Sequence, residues 1–110
     1  MIKRGSVVLL DAWGKRRLGV VLDMREAATL VVVIAGTTKV PREGDPEAIT
    51  VEPYTRNGRA LGLREKTFFK KAGLRVGVPV GECSECLRAF CPPILMGELN
   101  ELVRELLRQG

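Results

Sequence analysis

The chain has 110 residues, of which 45% are apolar and only 5% aromatic, with 12 Gly and 6 Pro; this allows one domain with an aliphatic core, many turns and short strands. Its formal charge of +5 is uneven, with eight Lys or Arg against three acids in residues 1–42, seven against five in 43–81 and three against five in 82–110, so a polyanionic partner would meet the front of the chain. Histidine is absent, which excludes imidazole as acid, base or metal ligand and leaves carboxylates, Lys, Tyr54, Cys or charge stabilisation by Arg.

In chain order, SVVLLDA (6–12), LGVVLDM (18–24), TLVVVIAG (29–36) and AITVEP (48–53) are short, rich in Val, Leu and Ile, and bounded by Gly, Pro, Asp or charged clusters. They read as strands, the third buried on both faces because its apolar run is continuous. Residues 59–78 predict two further strands around Lys70 to Gly73, with Phe68 and Phe69 splitting inward and outward and Tyr54 placed with them in the core. Five or six strands with no intervening helix predict a mainly β fold, a small antiparallel barrel or roll. The period then changes. Leu95, Leu99, Leu102, Val103 and Leu106 form one stripe of an amphipathic helix, with Pro92 and Pro93 at its start and Gly110 at its end, and this helix is expected to close one end of the barrel. The expectation is a single domain over 1–110, with the barrel at about 1–81 and a Cys-containing connection plus the helix at about 82–110.

No apolar stretch approaches the ~20 residues of a membrane span, and MIKRGSVVLLDAWG offers neither a signal-length apolar region nor a small-residue cleavage site. The expected location is the cytoplasm, with no membrane partner.

Chemistry is concentrated at two places. In an antiparallel meander the start of strand 18–24 lies beside the end of strand 29–36, so Lys15, Arg16 and Arg17 share an edge with Thr37, Thr38 and Lys39. Arginine forks and short threonine donors on one rim suit a phosphate, although a charged hairpin end with threonines capping a turn has the same spacing. The connection TTKVPREGDPEA (37–48) is long for a structureless loop. The second place is CSECLRAFC, which spaces Cys83, Cys86 and Cys91 as C-x2-C-x4-C. A closed zinc or iron–sulfur site wants a fourth ligand that this chain supplies neither as Cys nor as His, so the primary expectation is no metal, with reduced thiols packing the start of the helix.

The order KRGSVVLLD, GKRRLGVVL, VVVIAGTTK and GRALGLREKTFF, followed by an amphipathic helix, resembles the PemK/MazF family of type II toxin–antitoxin endoribonucleases over nearly the whole chain. The sequence departs from the family pattern at Ser6, where an acid is common, at Leu18 in place of Pro, and at Ala35-Gly36 before the threonine. The resemblance implies an SH3-like barrel, a homodimer with single-stranded RNA across the subunit interface, RNA cleavage by 2′-OH attack without metal or cofactor, and an acidic antitoxin protein occupying the same groove. Matched by position, it implies Arg17 and Thr37 as catalytic residues. RNA-binding candidates are Lys15, Arg16, Thr38, Lys39 and Arg42, with Trp13 either stacking on a base or packing. Two alternatives stand beside this expectation: a non-catalytic SH3-like module binding RNA or an antitoxin-type tail, and a Cys-based metal or redox module.

Overall fold

The computed structural model describes residues 1–41 and 47–109. Its elements are β1 (Ser6–Ala12), β2 (Lys15–Arg25), β3 (Leu30–Thr37), β4 (Ile49–Val51), α1 (Arg56–Leu61), β5 (Thr67–Pro79), β6 (Ser84–Phe90) and α2 (Pro93–Arg108). The strands form one antiparallel sheet in the order β4-β5-β3-β2-β1-β6. It curls into a half-barrel that leaves β4 and β6 as edges. The mainly β fold with a C-terminal amphipathic helix is therefore as expected, and no helix among the described residues is long and apolar enough to cross a membrane.

The continuous apolar run of β3 fits its place in the middle of the sheet, where Val31 to Thr37 are all buried. Alternation sends Val20, Leu22, Val32 and Ile34 to one face, where they meet Phe69, Leu61, Cys91 and the α2 stripe Leu95, Leu99 and Val103. The other face collects Val8, Leu10, Ala12, Val21, Val31, Val33 and Ala35, packed with Ile2, Val78, Val80 and Cys83. Both faces are thus filled by aliphatic side chains, as the low aromatic content demands. The helix α2 packs against β5 and β2 and so covers a face of the sheet rather than plugging an end. Its Leu106 turns outward, while Glu101–Arg104 and Glu105–Arg108 pair across single turns of the solvent side.

Four expectations need correction. Residues 59–78 do not make two strands. Residues 59–61 end α1, and 67–79 form a single long strand with an irregularity, because Ile34 pairs with Leu74 while Gly36 already pairs with Phe69. Residues 70–73 are the excess, extruded as a bulge that bends the strand without ending it. There Gly73 is required, since a Cβ would run into the Ala35 carbonyl oxygen. Second, the Cys-containing connection is largely a strand: β6 pairs with β1, giving the sheet its outer edge. Third, α1 was not anticipated. It is capped by Thr55, whose Oγ1 accepts from the Gly58 amide at 3.1 Å, and it stops at Gly62 in the left-handed region. Fourth, Tyr54 is 69% exposed, whereas Phe68 and Phe69 are both buried.

Candidate nucleic-acid interface

The site is built from the β1–β2 hairpin outward. Ala12 pairs with Lys15, so the loop is Trp13-Gly14, and both residues have positive φ, 52° and 73°. That is the signature of a tight two-residue hairpin turn whose twist suits the strands. Glycine takes this conformation freely, but tryptophan does so at a cost of about 1–2 kcal/mol. Compensation comes from the ring. Arg17 and Arg75 each lie 5.1 Å from its centroid and Lys70 lies at 5.7 Å. Each such contact taken alone contributes roughly 0.5–1 kcal/mol at a partly exposed site, working against the strain. The indole remains 39% exposed.

Strand alternation then aims the cations. Along β2, Lys15, Arg17 and Gly19 face the same side as Ala12, Leu10 and Val8, their partners in β1. Gly19 pairs with Ala35 in β3, which brings Thr37 to the rung of Arg17 just beyond the last aliphatic pair. Arg17 Nε donates to the Ala12 carbonyl at 2.8 Å, fixing the side chain against its own hairpin. Its Nη1 lies 3.4 Å from Thr37 Oγ1, which also accepts from the Lys39 amide at 3.2 Å. Thr37 is only 6% exposed. Having accepted twice, its hydroxyl still has its own proton to donate, and most of the guanidinium's five N–H groups remain free of these bonds.

Two clefts flank this pair. One, about 300 Å3, is lined by Trp13, Arg17, Thr37, Lys39 and Lys70 and holds no carboxylate among the described residues. The other, about 270 Å3, is lined among others by Lys15, Arg16, Arg17, Thr37, Thr38 and Glu65, its one acid among the described residues. Arg17 and Thr37 belong to both and form the ridge between them. Larger depressions, about 610 Å3 beside α2 and about 670 Å3 along β6, mix aliphatic and charged side chains of both signs and contain neither residue. A carboxylate-free cleft ringed by cations is arranged to receive an anion.

The other predicted residues divide. Lys15 and Thr38 line the second cleft and Lys39 the first, all three exposed. Arg16 also lines the second cleft, with its guanidinium engaged by protein partners: its Nη2 donates to Ser84 Oγ at 2.6 Å and its Nη1 to the Glu82 carbonyl at 3.2 Å, with Asp11 at 3.5 Å. It ties β2 to the start of β6 while standing at the wall of the second cleft. Arg42 lies outside the described residues. Sequence reading missed Lys70 and Arg75 because the bulge that presents them resembled a turn, and it missed Glu65 and Thr67 because the segment before β5 showed no period. The departure at Gly36 has a packing role, for a Cβ there would press on Thr67 and Phe69 of β5.

The cysteines do not converge. Cys83 packs with the Val8–Leu10 cluster, while Cys86 and Cys91 pack with the core beneath α2. All three thiols are free, and among the described residues no group of three or more Cys, Asp or Glu side chains is placed to hold a metal ion. Burial pushes the Cys91 thiol up to about 12. Burial also raises Cys83, against the lowering effect of Arg16, and raises Cys86. No protein-family model matches the sequence and no curated protein is similar to it.

Proposed function

We propose that the protein is an endoribonuclease of PemK/MazF type that cleaves single-stranded RNA, with Arg17 and Thr37 acting on one phosphodiester. The observation that carries this reading is the Arg17–Thr37 contact, 3.4 Å across two strands, on a ridge between two clefts. In the proposed reaction the ribose 2′-oxygen bonds to the adjacent phosphorus and the bond to the 5′-oxygen breaks. The 2′-hydroxyl proton passes to a base and the leaving oxygen takes a proton from solvent. The products are a 2′,3′-cyclic phosphate and a free 5′-hydroxyl. Negative charge grows on the non-bridging oxygens, and a guanidinium anchored to the backbone at Ala12 is a permanent, preorganised charge for them. Thr37 adds a supporting hydrogen bond. Among the described residues Glu65 is the sole carboxylate lining the two clefts and is the group to test as base.

The same reading takes an acidic antitoxin tail as a competitor for the cationic clefts and a homodimer as the working form. A second reading, binding without cutting, is favoured by one observation: the Thr37 hydroxyl is nearly enclosed and already accepts two donors. Incubation of the folded protein with single-stranded RNA in EDTA separates the two. Fragments ending in cyclic phosphate, lost in Arg17→Ala, support the enzyme; retained, intact RNA supports the binding module.

A further inference from the structure

We infer that Lys70, on the β5 bulge, is a second phosphate-holding residue of this site, and that Trp13 positions it together with Arg17 and Arg75. The inference rests on the RNA-binding part of the reading above but not on cleavage. Three like charges gather around one indole, at 5.1, 5.1 and 5.7 Å from its centroid, and among the described residues no carboxylate lines the cleft that Trp13, Arg17 and Lys70 share. Such a cluster repels itself. The indole face offsets part of that repulsion without neutralising any charge, as a carboxylate would, so the cations stay available to an anion.

The covalent frame makes the arrangement specific. Trp13 is held in the left-handed region by the hairpin turn, and Lys70 is lifted toward it by the four extruded residues 70–73, with Gly73 lying against the indole edge. Both features depart from regular sheet geometry and both serve the same cleft. Arg75 spends its Nη1 on the Ala72 and Leu74 carbonyls at 2.7 and 3.0 Å, which locks the bulge. Lys70, with its compact ammonium, is left for the ligand beside Arg17 and Lys39.

The test uses a single-stranded oligodeoxynucleotide, which lacks the 2′-hydroxyl and cannot be cut by the proposed route. Trp13 is the only tryptophan, so binding to the intact protein is read directly from its fluorescence, and by anisotropy of a labelled strand for Trp13 variants. Lys70→Ala is expected to weaken binding roughly tenfold and to reduce the slope of log K against log salt by about 0.7, the signature of one lost phosphate contact. Trp13→Gly, which relieves the backbone, is expected to weaken binding as much while raising thermal stability or leaving it unchanged; Trp13→Phe restores most of the affinity. Wild-type affinity and slope in Lys70→Ala overturn the inference, as does failure of the unaltered protein to bind. Should Trp13→Gly fold poorly, the Lys70 slope still decides. Binding that depends on Lys70 without any RNA cutting would sink the nuclease reading alone, and RNA cutting indifferent to Lys70 would sink this inference alone.

Discussion

Arg17 shows how much a single side chain can be constrained by its neighbours' backbone. One N–H is held by the Ala12 carbonyl, one face lies over Trp13, and one corner reaches Thr37, so the guanidinium is oriented before any ligand arrives. Thr37→Val keeps the buried shape and removes only the hydroxyl; it is expected to slow RNA cleavage by about tenfold to a hundredfold with little change in melting temperature, measured by single-turnover kinetics and thermal denaturation. Cys91 gives a residue-level prediction of another kind. Its folded value of about 12 lies above the ordinary thiol value of 9.0, so the unfolded chain ionises first as pH rises. The contribution of this thiol to stability is complete below about pH 9 and falls away between there and about 12. Urea midpoints between pH 7 and 11 should therefore drop less in Cys91→Ala than in the unaltered protein, once each is compared with its own value at neutrality. The pair at 17 and 37 was readable from sequence because an antiparallel meander fixes which strand ends meet. Lys70 and Arg75 were not, since a bulge is decided by tertiary pairing and leaves no period behind.

Among the elements, β5 carries the most consequence for the site. Its first part pairs with β4 and with Gly36–Thr37, its last part with the rest of β3, and the extruded residues 70–73 between them present Lys70 to the cleft. Gly73→Ala would drive a methyl group into the Ala35 carbonyl; it is expected to destabilise the fold by about 1–3 kcal/mol in urea unfolding and to weaken oligonucleotide binding as well. On α2, Leu99 is fully buried at the centre of the helix stripe. Leu99→Ala should cost about 2–5 kcal/mol of stability while leaving the affinity of the folded fraction for single-stranded nucleic acid unchanged. The aliphatic strands β1 to β3 and the period of α2 were legible because burial on a sheet face or helix stripe dictates those patterns. The outer strand β6 was not: SECLRAF mixes polar and apolar residues with only partial burial, and its cysteine spacing suggested a knuckle. Equally, α1 has six residues, too few for a periodic signal, and exists through its caps and its contacts with β6.

At the scale of the molecule, charge is segregated by the fold much as it is along the chain. Cations from β2, from β5 and at Lys39 beyond β3 ring the clefts, whereas the outer side of α2 carries Glu98, Glu101 and Glu105, two of them paired to arginines. A strand of RNA lying along the ridge would touch the first region and avoid the second, and its affinity should fall steeply with salt. The account as a whole turns on Arg17 and Thr37 gripping one phosphodiester. The most direct measurement is a double-mutant cycle on the rate of RNA cleavage in EDTA with Arg17→Ala, Thr37→Val and the combined variant. The expected result is a loss of about 100–1,000-fold for Arg17→Ala, with little further loss when Thr37→Val is added. Cleavage by Arg17→Ala at the unaltered rate, or losses that simply multiply in the combined variant, would contradict it.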